Sequence, residues 1–308
     1  MLMSDALKLF EKPEAKEIYM IAGWHQWADA GSVSSGLPPY LVEQTQAKKI
    51  GHIEPQGFYL FQIPGTHHLL RPEIKLKEGH RQALSDPKNE FFYSGDAERG
   101  LIIFLGEEPH LDADRYAAAF FDAVEALGVR RVAALGGVYG MLPYDKDRMV
   151  TSAFSLTLLK EELARYAVTF SDYEGGVSIG TYLVDQAEER GLEYFTFYAF
   201  VPAYDFSQLS LFTQGMRIDN DYKAWYDLMR RFNYMFKTTI DLSDLASKSE
   251  SLLMSLDVKM AQMEEKVPDL KVREFLDKLN ESFTENAFEP LSDVWEQELG
   301  DLFDTLDE

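Results

Sequence analysis

Two hydrophobic rhythms divide this chain. Up to about residue 210, short apolar runs rich in β-branched and aromatic residues alternate with longer amphipathic stretches. KEIYMIA (16–22), KKIGHIE (48–54), GFYLFQI (57–63), NEFFYSG (89–95), GLIIFLG (100–106), RRVAALGG (130–137), RYAVTF (165–170) and LEYFTFYAF (192–200) read as strands bounded by glycine, proline or charge. Between them, DADRYAAAFFDAVEALGV (112–129) places Tyr116, Phe120, Val124 and Leu127 on one stripe. It starts acidic and stops at Gly128, as a helix does. Alternating strands and helices predict an α/β fold, a mostly parallel twisted sheet with helices on both faces in a three-layer α/β/α sandwich. GFYLFQI and NEFFYSG are expected to form an antiparallel excursion, because the segment between them is rich in proline and charge and lacks helical spacing.

Beyond about residue 215 the pattern is helical throughout. DNDYKAWYDLMRRFNYMFKTT (219–239) is amphipathic, and from Ser243 the set Leu245, Leu252, Leu256, Met260, Met263 and Val267 keeps near-heptad spacing until Pro268 stops it. DLKVREFLDKLNESF (269–283) repeats the pattern. The chain therefore divides into an α/β domain, 1–215, and a helical C-terminal domain, 216–308, ending in an acidic amphipathic helix. In that terminal stretch Phe288, Leu291, Trp295, Leu299, Leu302 and Leu306 recur at steps of three and four.

Composition narrows the function classes. A chain of 308 residues with 46% hydrophobic content can bury a full core. No run approaches the roughly 20 apolar residues a bilayer span needs, and MLMSDALKLFEKPEAKE lacks the basic flank and apolar centre of a signal peptide, so a soluble cytoplasmic protein is expected. Zero cysteines exclude disulfides, thiolate catalysis and cysteine-ligated zinc. The net charge of -22, without a dense Lys/Arg cluster, argues against nucleic acid and anionic membranes as partners. Ten acidic residues and no basic one fall between Glu281 and Glu308, so close to half of that charge sits in the tail.

Ligands of an open parallel sheet sit beyond the carboxyl ends of its strands. Five loops are expected to converge there as one rim: GWHQWADAG (23–31), GEEPHLDAD (106–114), GGVYGMLPYDKDR (136–148), SDYEGGVSIG (171–180) and VPAYDF (201–206). The rim candidates are Gly23, Trp24, Asp29, Gly31, Arg71, Glu107, Gly136, Gly137, Tyr139, Arg148, Tyr173, Gly176, Ser178 and Tyr204. Trp24 and Trp27 stand too close together for both to be core by default, and Asp29 is placed to cap a helix that begins near Gly31.

The order of a GW…DAG loop after the first strand, Arg71-Pro72, GEEPH, LGG…P, YEG…G and VPAY resembles the proteasome assembly chaperone 2 family of bacteria and archaea, over roughly residues 17–210. The resemblance implies an α/β domain laid out like nucleoside phosphorylases and peptidyl-tRNA hydrolases, a helical C-terminal region, and homo-oligomeric assembly, with a trimer as the order that layout suggests. It also implies protein partners, because eukaryotic and archaeal relatives are chaperones or binding partners of the proteasome. Archaeal partners dock through a C-terminal tyrosine and one last residue; this chain ends DTLDE, so that mode is not expected.

Catalytic alternatives are testable residue by residue. GVSIG (176–180) fits a nucleophile elbow around Ser178, yet all six histidines lie in the first 110 residues, ahead of the serine, so no triad is expected in that order. Glu107, Glu108, His110, Asp112 and Asp114 are ligand types, but adjacent positions rarely converge and acids in a first helical turn are favoured by the dipole, so no metal is expected. Glu108 with His110 is the best acid/base pair available. LGGVYG invites an anion cradle with Arg148 and Arg71 as charge partners, but it has neither dinucleotide nor Walker spacing, and no cofactor is expected. Two function classes follow: a non-catalytic, oligomeric interaction or assembly-chaperone-like protein, and, as its rival, a hydrolase or nucleoside-phosphorylase-like enzyme using Glu108 and His110.

Overall fold

The computed structural model describes residues 4–61, 72–85, 87–205 and 216–289. Eleven strands are present among them: β1 (Leu7–Leu9), β2 (Glu17–His25), β3 (Lys48–Ile53), β4 (Glu73–Lys77), β5 (His80–Ser85), β6 (Glu90–Gly95), β7 (Arg99–Glu107), β8 (Val129–Gly140), β9 (Val150–Phe154), β10 (Thr169–Phe170) and β11 (Glu193–Pro202). Seven α-helices accompany them: α1 (Leu37–Thr45), α2 (Ala113–Ala126), α3 (Leu159–Ala164), α4 (Ile179–Arg190), α5 (Tyr222–Met235), α6 (Ser243–Lys266) and α7 (Val272–Ser282). Nine strands form one sheet in the order β1-β3-β6-β7-β2-β8-β11-β9-β10, while β4 and β5 pair separately as a hairpin.

The sheet is mixed, which corrects the expectation of a mostly parallel one. Its centre, β7-β2-β8-β11, is parallel. Antiparallel pairs flank it: β1 with β3, β3 with β6, β6 with β7, and β9 with β11. Connection length explains the change, since a parallel return needs a crossover of about a dozen residues or more. Residues 96–98 join β6 to β7 as a tight hairpin. There Asp96 Oδ1 accepts the N–H groups of Glu98 and Arg99 at 2.8 and 2.9 Å, and those bonds hold its carboxyl below the usual range.

Alternation along β2 divides the core. Tyr19 and Ile21 face one cluster with Leu37 and Leu41 of α1, Leu159 of α3, and Trp225, Leu228 and Phe232 of α5. Ile18, Met20, Ala22 and Trp24 face the other, with Tyr116, Phe120 and Val124 of α2 and Ile179 and Leu183 of α4. Helices thus cover both faces, as the near-continuous apolar central strands require. The ring of Phe232 stacks on Phe197 of β11 at 5.5 Å, and Leu245, Leu256 and Met260 of α6 join the same cluster.

Local departures from the expected elements have local causes. GFYLFQI is not a strand over its described part, 57–61. Gly57 has φ +88, which turns the chain, and Phe58 drops into the core edge-on to Tyr116 at 5.4 Å. RYAVTF contributes only the two residues of β10. The expected terminal helix lies outside the described residues apart from its beginning, and there Phe288 sits in a non-helical segment, buried against Tyr166 and Tyr234.

Candidate functional site

The loops after β2 and β7 meet the N-terminus of α4 beside the last residues of β8, and hydrogen bonds tie them together. Glu108 is the hub. Its Oε1 accepts the Ile179 N–H at 2.6 Å and its Oε2 accepts the Trp27 N–H at 2.9 Å. The first of these is an orphan donor at a helix start, where the dipole also favours an anion, so Glu108 caps α4 from the loop after β7. Ser178, the residue before α4, spends its hydroxyl on Tyr198 Oη at 3.0 Å instead. Gln26 adds a second knot: its Nε2 donates to Ser34 Oγ at 2.9 Å and to the Leu135 carbonyl at 2.8 Å, while its Oε1 accepts from the Gly180 N–H at 3.3 Å.

The Glu108 and His110 side chains are engaged separately. His110 Nδ1 accepts the Leu60 N–H at 3.1 Å, which leaves the ring proton on Nε2, and the ring meets Tyr59 edge-on at 5.5 Å. No hydrogen bond joins the imidazole to Glu108 among the described residues. His25 pairs instead with Glu107, Nδ1 to Oε1 at 3.1 Å, and that bond raises the imidazole pKa.

The glycines of the rim make room for close contacts. Gly137 donates its N–H to the Ala28 carbonyl at 2.9 Å, and a Cβ there would lie 2.0 Å from the Ala30 carbonyl oxygen. A Cβ on Gly136 would strike the Tyr198 ring at 2.1 Å, and one on Gly23 the Ser34 carbonyl oxygen at 2.0 Å. With its N–H already donated, Gly137 has none to offer an anion. Asp29 Oδ1 accepts the N–H groups of Ser34 and Ser35 at 2.8 and 3.0 Å, fixing the turn that leads into α1, and burial raises its pKa. Gly31 has φ +64 and its carbonyl accepts from the Asp221 N–H and from Trp225 Nε1.

Several residues expected on the rim lie in the interior. Trp24 is fully buried, its Nε1 donating to Tyr116 Oη at 2.9 Å. Arg148 is buried in a bidentate pair with Asp221 at 2.8 and 3.2 Å, and its Nη1 donates to the Tyr144 and Lys146 carbonyls. It is therefore not an anion partner at the surface. Tyr204 is buried too, donating to the Leu142 carbonyl at 2.7 Å, and so is Ser178. Arg71 lies outside the described residues. Tyr173 remains exposed, its hydroxyl donating to the Gly176 carbonyl at 3.0 Å.

These loops present large apolar side chains to solvent among polar and charged ones such as His110, Asp145, Asp172 and Glu174. Trp27 is 70% exposed, and Tyr139, Met141, Tyr173 and Val177 are exposed with it. Met141, Gln26 and Tyr198 were not singled out by sequence reasoning. Gln26 lies inside the HQWA stretch and carries no pattern of its own, whereas Trp24 did have a signal: it continues the alternation Ile18, Met20, Ala22. Among the described residues no group of three or more His, Asp or Glu side chains could hold a metal ion, and no helix is long and apolar enough to cross a membrane.

A family model described as the PAC2 family matches residues 23–258, from the first rim loop into α6. The chain belongs to the PAC2 family. Solved structures similar to this PAC2 chain include a PAC2 family protein from Streptomyces avermitilis, at 21% identity and TM-score 0.68, covering 84% of this chain and 99% of that one. A proteasome-assembly chaperone homologue from Mycobacterium tuberculosis is similar at 20% identity and TM-score 0.66, covering 78% and 94%. An archaeal proteasome activator from Pyrococcus furiosus follows at 19% and 0.56, covering 82% and 96%. At these identities the likeness is one of fold. Among curated proteins, none matches the chain.

Proposed function

We propose that this PAC2 chain is a non-catalytic, homo-oligomeric interaction protein of assembly-chaperone type, which meets protein partners through its rim. The observation that carries the reading is how rim residues are used. Glu108, Gln26, Ser178 and Gly137 spend their polar groups inside the fold, while Trp27, Tyr139, Met141, Tyr173 and Val177 face solvent. Interface cores are enriched in these aromatic and methionine side chains. The relatives described as a chaperone homologue and a proteasome activator support a protein client.

In this reading the α/β part, to about residue 215, is a three-layer sandwich, and the helical part, 216–308, extends it. The protein works in the cytoplasm and, at a net charge of -22, avoids nucleic acid and anionic membranes. The acid/base alternative has less support, because both Glu108 oxygens accept backbone N–H groups and His110 Nδ1 accepts a third.

Native mass spectrometry under gentle and then denaturing conditions tests the proposal. A ring-sized oligomer without a bound small molecule is expected, and the Trp27→Ser/Met141→Ser variant should fall apart into smaller species while keeping its circular dichroism. A small molecule released only on denaturation, or an unchanged oligomer in the variant, would overturn it.

A further inference from the structure

Between β3 and β6 the chain carries an arm, the hairpin β4–β5. The strands on either side of it place its roots at the rim end of the sheet, since Glu90 pairs with His52 and with Leu105, near the carboxyl end of β7. Glu78 and Gly79 close the hairpin at φ +50 and +79, the left-handed pair that a two-residue turn favours. Ile74 and Leu76 share one face of β4, and Leu84 of β5 stands opposite Ile74. These three are 56%, 55% and 44% exposed, and every other residue from Lys75 to Ala83 is exposed with them. A two-stranded hairpin with both faces in water is marginally stable, and further strands are what stabilise one.

The two edges of the arm differ. Lys75 pairs with Ala83 and Leu76 with Arg81, so Gln82 is the extra residue of a bulge, which bends β5 and blunts its edge. β4 is regular, and among the described residues β5 alone pairs with it. Its sequence, EIKLK, is nearly self-complementary. Laid antiparallel on a second copy with Lys75 on the two-fold axis, position 74 falls opposite 76, apolar on apolar, and the acid at 73 falls opposite the base at 77. A slip of one residue would set apolar positions against charged ones. Centring on Leu76 would oppose Lys75 with Lys77, and centring on Ile74 would draw Pro72, which has no N–H, into the ladder. The axial Lys75 pair is the one like-charge contact of the chosen register, and the long lysine stem lets each ammonium turn to water.

We propose that the open edge of β4 pairs with β4 of a second copy of this chain, forming an isologous four-stranded sheet, β5-β4-β4-β5, with Ile74, Leu76 and Leu84 of both copies gathered on one face. This contact lies beyond the rim contact proposed above and stands without it.

The chain has no cysteine, so single cysteines read the register directly. Under mild oxidation, full-length Lys75→Cys should form a disulfide-linked dimer, because facing Cα atoms of an antiparallel pair lie about 4.5–5.5 Å apart, within disulfide reach. Lys77→Cys alone should trap several-fold less, since its counterpart lies four residues along, about 14 Å away. An equal mixture of Glu73→Cys and Lys77→Cys should give the mixed dimer. Ile74→Lys/Leu76→Lys in the Lys75→Cys chain should abolish trapping with circular dichroism unchanged, whereas Trp27→Ser/Met141→Ser in that chain should leave trapping intact. The last comparison separates the arm from the rim, whose own failure shows in the native mass alone. No linked dimer from Lys75→Cys, equal trapping at 75 and 77, or loss of trapping in the rim variant would overturn the proposal.

Discussion

Replacing Asp221 by alanine tests how the rim is held from below. The Asp221 carboxylate has two roles in a region closed to water. It accepts two hydrogen bonds from Arg148, at 2.8 and 3.2 Å with both side chains fully buried, and it caps α5 by accepting the Ala224 N–H at 3.1 Å. Its backbone N–H also donates to the Gly31 carbonyl, so the same residue anchors the loop that carries Trp27 and Asp29. Stranding a buried guanidinium costs about 3–5 kcal/mol, and losing a cap adds about 1 kcal/mol. Together, roughly 4–6 kcal/mol would be lost from the 5–15 kcal/mol typical of a folded domain. Chemical denaturation followed by circular dichroism should show this loss directly, or a fall in Tm on the order of 10–20 °C. The double variant Asp221→Ala/Arg148→Met should cost less than the sum of its parts, because the stranded charge is then gone. A loss below about 1 kcal/mol for Asp221→Ala, or an additive cycle, would refute the reasoning.

The other predictions concern the rim itself. Trp24→Ala should cost about 3–5 kcal/mol in a denaturation curve, whereas Trp27→Ser should stay within about 0.5 kcal/mol and act on self-association alone. Glu108→Gln keeps one acceptor but sets an NH₂ group against a backbone N–H, so a loss of about 1.5–3 kcal/mol is expected, with shifts of the Trp27 and Ile179 amide resonances. His25 has a raised pKa through its bond to Glu107. The stability it contributes is therefore fully present below its ordinary 6.5 and fades as pH rises through the elevated folded value. An NMR titration should place His25 above 6.5, and Glu107→Gln should return it toward that value.

Elements whose signal is local were legible in advance. The stripe of Tyr116, Phe120 and Val124 defines α2, and the near-heptad from Leu245 to Met260 defines α6, because both patterns come from one helix meeting one apolar face. The central strands were legible for the same reason, and the loops that follow them had to gather at one edge. The hairpin β4–β5 and the strands β1 and β9 were not read: VTSAF carries little apolar alternation, and EIKLK does alternate Ile74 and Leu76 with charge but lies in a stretch rich in proline and charge, with both of those side chains left exposed. Gly57 ended an expected strand through a turn that no apolar count reveals.

The amino-acid sequence alone determined the α/β class and the membership of the PAC2 family, because periodicity and turn chemistry are written residue by residue. Only the tertiary structure decided what each rim residue does. Trp24 and Trp27 are three positions apart, yet one is buried under α2 and the other meets solvent. Arg148 looks like a surface cation until Asp221, far along the chain, closes over it. Glu108 looks like a catalytic acid until the backbone N–H groups of Trp27 and Ile179 arrive from two other elements. Burial and hydrogen-bond partnership are properties of chain segments brought together from a distance, and no single stretch of sequence contains them.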